Sequence, residues 1–300
     1  MEPWVLITLL AAAAQTVRFM LQKHLKATEL STAGATFARF IYSAPLVMLI
    51  AVGYGQISGQ SLPQLETGFF AYSVVGGISQ ILATMCVVAL FAHRNFAVGI
   101  TFKKTEVLLS ALVGILVLGD FITWSALGAI LVGLVGVLLL SDPPQATGAL
   151  WARVFNRASG LGLLSGLLFG ISGVTYRGAS LSLASGDVFF RAIITLAFVT
   201  AFQVAMMAVW LFWRERGEIA RVLVVWRVAA WVGLSSMVGS ICWFVAFTLQ
   251  TAALVNAVGQ IELIFSLAAT TFFFKEKVTS RELQGVGFLS LSILILILVT

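Results

Sequence analysis

Charge is scarce in this sequence. Of its 300 residues only 10% are Asp, Glu, Lys or Arg, while 60% are hydrophobic, whereas a soluble globular domain carries roughly a quarter charged residues. A water-soluble globule is therefore excluded, and the chain reads as a polytopic membrane protein. There are two cysteines; Cys86 and Cys242 fall inside apolar runs, with neither the spacing of a metal site nor the loop setting of a disulfide framework, and read as small buried fillers. There are also two histidines; His24 and His93 read as loop residues without a catalytic role. No phosphate-binding loop, Ser-His-Asp pattern or metal spacing is present, so an ATP-driven pump, a hydrolase and a resident metal or cofactor are not expected. The N-terminal MEPWVLITLLAAAAQ lacks a basic segment before its apolar run and reads as a retained first span, not a signal peptide. The net charge of +6 does not call for nucleic acid, because Lys and Arg collect on the cytoplasmic side of membrane proteins in any case.

A membrane span needs about 20 apolar residues. Ten runs qualify, near 3–22, 33–53, 68–91, 96–118, 122–141, 159–177, 187–212, 227–249, 253–274 and 281–299. All are expected to be helices, since backbone exposed to lipid must satisfy its own hydrogen bonds and the runs are too long and too uniformly apolar for barrel strands. Turn-forming stretches separate them: GQISGQSLPQ, the Gly119-Asp120 pair, SDPPQATG and SLASGD.

The chain also repeats itself. At a constant offset of 156, Phe102–Asp120 aligns with Val258–Glu276, matching Glu106 with Glu262, Ser110 with Ser266 and Asp120 with Glu276; Gly77 with Gly233, Ser79 with Ser235 and Cys86 with Cys242 extend the register. Leu matches are cheap in so apolar a chain, but paired acidic, Ser and Cys positions are not. The expected organisation is a first five-helix repeat at 1–142, a cytoplasmic linker at 143–158 and a second repeat at 159–300. Five spans per half is odd, so the second half enters the membrane from the opposite side. The expected fold is thus all-α, ten transmembrane helices in two inverted five-helix repeats. Sorting loops by side puts nearly all loop Lys and Arg on one face, which makes that face cytoplasmic and leaves both termini outside. The charged stretch Arg214–Arg227 is expected to lie along the cytoplasmic interface or to be an ordinary charged loop.

Ten helices in inverted halves, with a Glu inside the fourth helix of each half and an acidic residue at its end, resemble the ten-helix EamA-type branch of the drug/metabolite transporter superfamily. The segments KTEVLLSALVGILVLGDFIT and QIELIFSLAATTFFFKEKVT carry the likeness, which spans essentially the whole chain. Two features depart from that pattern: Glu106-Val107 and Glu262-Leu263 stand where many members have Glu-Pro, and Lys275-Glu276 lacks the turn glycine. The resemblance implies secondary transport of small organic metabolites, often export.

The residues inside the spans point to the candidate site. Glu106 and Glu262 lie near the midplane, about 15 Å from their helix starts. A charge there costs at least about 2.5–3.5 kcal/mol, so each must face the bundle interior and find a partner. Both readings stay open: a carboxylate tying helices together, or one that meets substrate or protons. Lys103, Glu106 and Ser110 share a helical face, with Lys104 about 100° further round. The second copy has Gly259, Glu262 and Ser266 at those positions and Gln260 opposite Lys104. With no cation one turn away, Glu262 is expected to have a raised pKa, unless another helix supplies a cation, and to be the better proton-coupling group. Arg39 and Arg191 read as repeat mates through flanking Phe37/Phe189 and Ile41/Ile193; with Arg18 and Arg177 they make cations outnumber carboxylates, which favours a substrate with an anionic group. Gln15, Tyr42, Gln80, Tyr176, Trp243, Phe247, Asn256 and Gln260 are candidate cavity residues, because buried amides need partners; an aromatic among them can equally be bundle core. Gly128, Gly133 and Gly136 are candidates for close helix approach.

The expected function is a non-enzymatic secondary transporter of the inner or plasma membrane. It would move amino acids, zwitterions or organic anions by alternating access, with protons as a candidate coupling ion. The alternative is an integral membrane enzyme or sensor acting on a lipid-soluble ligand.

Overall fold

In a computed structural model of the chain, residues 2–28, 30–90, 103–141, 157–265, 268 and 280–299 are described. Eleven helices are delimited among them: α1 (Pro3–Thr28), α2 (Thr32–Ser58), α3 (Thr67–Leu90), α4 (Glu106–Leu118), α5 (Trp124–Ser141), α6 (Arg157–Leu181), α7 (Val188–Arg214), α8 (Glu218–Val224), α9 (Trp226–Leu249), α10 (Ala252–Gly259) and α11 (Ser280–Val299). No strand occurs among the described residues. Ser266, Glu276, His93 and most of the 143–158 linker lie outside the described residues.

Six helices, α1, α2, α3, α6, α7 and α9, are long and apolar enough to cross a membrane; shorter apolar helical stretches run over Glu106–Leu118, Trp124–Leu139, Ala252–Phe265 and Leu283–Val299. The helix count therefore differs from the ten expected spans. One reason is α8, which forms within the charged Arg214–Arg227 stretch. Its seven residues reach only about 10 Å and cannot span a bilayer. Another is that the fourth expected span, placed at 96–118, is described only from Lys103.

The distribution of side chains is the reverse of a soluble protein's. Leu49, Leu116, Phe212, Trp213 and Leu298 point outwards, whereas Arg18, Arg39, Lys103, Lys104, Glu106, Glu262 and Gln203 are buried. An apolar exterior on this scale is stable only against lipid, where a charge at the periphery would be the costly one.

Local chemistry fixes the helix ends. Ser31 caps α2, its hydroxyl accepting from the Gly34 N–H at 2.9 Å. Asp187 caps α7, accepting from the Phe190 N–H at 2.8 Å. The loop that follows α2 is tied to the same carboxylate, which also accepts from Gln60 at 2.6 Å and from Tyr54 at 2.9 Å. Burial pushes the pKa of Asp187 up, but these hydrogen bonds outweigh it and hold the carboxyl below its ordinary range. Gly59 and Gly119 close α2 and α4 at φ 66° and 67°, a left-handed conformation that a Cβ disfavours.

The main packing pairs are α3 on α6, α5 on α11, α1 on α9, α2 on α7 and α4 on α6. Of the three glycines expected on a close helix contact, Gly133 and Gly136 face α11 and Gly128 does not. A Cβ on Gly136 would stand 2.7 Å from the Leu289 nitrogen and 2.8 Å from the Gly285 oxygen, and one on Gly133 would stand 2.6 Å from the Ser292 hydroxyl; Gly128 has nothing within 4 Å. Ser292 also donates to the Ala129 carbonyl at 2.7 Å, stitching α11 to α5. Gly136→Ala must therefore push two backbones apart, and should destabilise the protein by about 1–3 kcal/mol. Gly128→Ala should be neutral or stabilising by up to about 1 kcal/mol through helix propensity. Thermal unfolding of both variants in detergent checks the contrast; an equal effect at the two positions would contradict this packing.

Candidate functional site

Two helix irregularities create the site. Before Glu106, Lys104 and Thr105 form a turn; before Glu262, Gln260 and Ile261 do the same. Neither break contains a proline. In the second, the N–H groups of Gln260, Ile261 and Leu263 bond to the carbonyls of Ala257, Val258 and Gln260, one residue nearer than in an α-helix. The tightening leaves the Asn256 carbonyl without its backbone donor, and the Gln260 side chain supplies one from Nε2 at 3.1 Å. Each Glu becomes the first residue of the helical segment after its break, where the N-terminal end of the dipole favours a negative charge.

The two breaks meet. Lys103 Nζ lies 3.3 Å from Glu106 Oε1 and 3.5 Å from Glu262 Oε1, and Lys104 Nζ donates to the same oxygen of Glu262. Gln15 Nε2 on α1 donates to Glu262 Oε2 at 2.6 Å, and Gln260 Nε2 reaches Glu106 Oε1 at 3.3 Å. Asn256 Nδ2 donates to the Ser110 hydroxyl at 3.2 Å, joining α10 to α4 a turn further along. All four charged groups are buried, with Lys103 2% and Lys104 1% exposed. Their charges cancel. Small residues on α6 make room for the break in α4: a Cβ on Gly166 would meet the Lys103 carbonyl at 2.7 Å and one on Gly170 the Ser110 nitrogen at 3.0 Å.

Beside this cluster lies a partly open cavity lined by residues of α1, α2, α3, α4, α6, α9 and α10 together with Glu262. Its polar wall includes Gln15, Arg39, Gln80, Lys103, Glu106, Asn256 and Glu262, and its apolar wall Phe169, Tyr176, Trp243, Phe244 and Phe247. The aromatic rings are ordered against one another: Trp243 stacks on Phe247 with centroids 5.7 Å apart, and Tyr176 on Phe244 at 4.3 Å. Tyr176 donates its hydroxyl to the Gly76 carbonyl at 2.9 Å.

Most of the residues singled out from the sequence come together here: Gln15, Arg39, Lys103, Glu106, Ser110, Tyr176, Trp243, Asn256, Gln260 and Glu262 line the cavity or touch a residue that does. Lys104 reaches Glu262 from the far side, where it lines a smaller void with Gln260, Leu108 and Ser292. Tyr42 does not join them; its hydroxyl donates to the Val222 carbonyl at 3.1 Å, pinning α8 to α2. Arg191 does not either. Counted from the helix starts at Thr32 and Val188, Arg39 is the eighth residue and Arg191 only the fourth, so Arg191 stays near the start of α7. Glu262, which has no cation one turn away on its own helix, is supplied with cations by another: Lys103 and Lys104 reach it across the helix interface, a contact that spacing within one helix cannot reveal.

The residues missed from the sequence are hydroxyls. Ser236, Thr84 and Ser240 accept from Arg39 at 2.9, 3.0 and 3.5 Å. Ser236 and Ser240 are four apart and continue on the face of Trp243 and Phe247, which is the signal available, but it is weak. Ser and Thr in a span normally satisfy themselves on the preceding turn, as Thr248 does on the Phe244 carbonyl.

No family model matches the chain, and no curated protein matches it. Among solved structures the chain is similar to one described only as "Crystal structure of protein", with a TM-score of 0.73 and 12% identity over 99% of this chain and 97% of that one. At that identity the likeness is one of fold, and it extends over both chains almost end to end.

Removing one partner of a buried ion pair typically costs about 3–5 kcal/mol. Glu262→Gln, which leaves Lys104 without its only described anionic partner, should therefore lower stability on that scale. Glu262→Gln combined with Lys104→Met should recover much of the loss, because the paired charge disappears with its partner. Unfolding midpoints of the two single variants and the double variant check this; additive losses would mean that the pair is not coupled.

Proposed function

We propose that the protein is a secondary transporter of small organic metabolites, amino acids, zwitterions or organic anions, working by alternating access, and that it belongs with the EamA-type drug/metabolite transporters. The observation that carries the reading is the buried polar cavity whose walls come from both sequence halves: Gln15, Arg39 and Glu106 from the first, Asn256 and Glu262 from the second. Charge and amide groups buried at such cost in a membrane protein mark a pathway by default, and a site between two related halves is what rocking of one half on the other requires.

Helix registration supports the duplication. Helices α2 and α7 begin at 32 and 188 and each runs for 27 residues, and the breaks fall at 104–105 and 260–261. Every one of these pairs is 156 residues apart. Helix partners respect the same rule, since α1 on α9 corresponds to α6 on α3, while α2 with α7 and α5 with α11 are pairs of equivalents. The repeat mates Gly77 and Gly233 both sit at tight crossings, against Phe202 and Tyr42. With an odd number of spans per half, such partners fit a two-fold axis in the membrane plane and hence inverted topology. In this reading the Lys- and Arg-rich loops are cytoplasmic, and both termini lie on the other side of the inner or plasma membrane.

Purified protein in liposomes should exchange a radiolabelled small metabolite with an unlabelled internal pool. Covalent conversion of the compound without its translocation would replace the transporter reading with the enzyme. Topology has its own test: a single cysteine at Ser58 should react with an impermeant maleimide added to intact cells, and one at Asn156 should not. The opposite labelling would invert the orientation.

A further inference from the structure

Arg39 is buried, 4% exposed, and among the described residues no ion pair to it is seen; its hydrogen bonds run to Ser236, Thr84 and Ser240. Its three described hydrogen bonds all go to hydroxyls, which carry no charge to offset its own, and the guanidinium has N–H groups left over. A buried cation held only by neutral dipoles keeps most of its desolvation cost. The neighbouring cluster is neutral within itself, Lys103 and, from the side away from the cavity, Lys104 against Glu106 and Glu262. The cavity is therefore positive by the charge of Arg39. Arg18, buried behind Gln15 and held by the Gln15 and Gln22 side-chain oxygens at 3.2 and 3.3 Å, adds to the same sign.

A second observation fixes what else the ligand must be. Ser240, which holds one end of Arg39, is followed on α9 by Trp243 and Phe247, about 5 and 10 Å further along the helix. The indole Nε1 of Trp243 is buried and has no hydrogen-bond partner, although Trp243 lines the cavity. An anionic head on Arg39 and a flat apolar body along these rings would use the unneutralised charge and the aromatic wall.

We propose that this cavity binds a small organic anion that carries no ammonium group, its carboxylate held by Arg39 and its apolar body lying along Trp243 and Phe247. The inference deepens the transporter reading and rests on it for its role, but the binding chemistry stands on the charge count. A zwitterion fits less well: its ammonium would need an unclaimed carboxylate, and both cavity carboxylates are neutralised by lysines.

Three probes with one skeleton separate the cases: 3-phenylpropionate, L-phenylalanine and 2-phenylethylamine, measured by equilibrium dialysis and thermal shift on the purified full-length protein. Binding of 3-phenylpropionate should be at least ten-fold tighter than that of L-phenylalanine, with none of the amine. Arg39→Gln should weaken the anion at least ten-fold while leaving the unliganded melting temperature unchanged or higher, because it removes an unneutralised buried charge; a purely structural arginine would lower it. Arg39→Lys should retain part of the binding, and Arg191→Gln, away from the cavity, all of it. Equal or tighter binding of L-phenylalanine, unaltered binding by Arg39→Gln, or no binding of any probe at millimolar concentration would each overturn the proposal. Flux distinguishes this failure from failure of the transporter: an anion that binds in this way but never crosses liposomes leaves the site and removes the transport, whereas liposomes that accumulate the zwitterion and not the anion do the reverse.

Discussion

A charge inside a bilayer cannot be left to water, and that constraint shapes the centre of this molecule. Lys103, Lys104, Glu106 and Glu262 can all be buried because they neutralise one another within a few ångströms. Their mutual attraction has to recover a desolvation penalty of several kcal/mol per ion. The surrounding structure is arranged so that it can. The helix breaks before each Glu bring the two segments into register, Gly166 and Gly170 let α6 approach the broken backbone of α4, and Gln260 takes over the carbonyl that its own break released. Arg39 escapes this neutralisation, which gives the cavity its sign.

How much of this was legible in the sequence depends on which physical rule each feature obeys. Apolar runs of bilayer length declare helices because lipid offers the backbone no partners, so α1, α2, α3, α6, α7 and α9 follow from composition and length. Glu106 and Glu262 stand out for the same reason, as costly exceptions within such runs. Their partners do not. Spacing of three or four residues reports only what shares a helix, and it found Lys103 beside Glu106 while assigning Glu262 nothing at Gly259. That glycine is where Trp243 packs, since a Cβ there would lie 2.4 Å from the indole Cη2, and the cations for Glu262 arrive from the other break. Flanking Phe and Ile residues, common in spans, pair Arg39 with Arg191, yet the two stand at different positions along their helices, eighth in α2 and fourth in α7.

The hydroxyls around Arg39 mark a further limit. Thr84, Ser236 and Ser240 resemble the many Ser and Thr residues of this chain that bond to their own helix, and only the tertiary structure separates them. By contrast α8 is formed by a stretch whose charges suggested a surface position, yet its Glu218 is buried, accepting from the Ser31 N–H at the start of α2 and filling the space that a Cβ on Gly34 would occupy. Composition identifies where a segment sits relative to the membrane better than it identifies which residue turns inward.

The two carboxylates remain unequal, though not in the manner that helix spacing suggests. Lys103 is shared between them at 3.3 and 3.5 Å, so it keeps an anionic partner if either is lost or protonated. Lys104 has Glu262 as its only described anionic partner, and Glu262 also holds Gln15 of α1. Loss of the Glu106 side chain would thus disturb one shared contact and an amide, whereas loss of the Glu262 side chain would strand Lys104 and release the tie to α1 at once. Glu262 is the group on which the contact between the breaks and α1 depends.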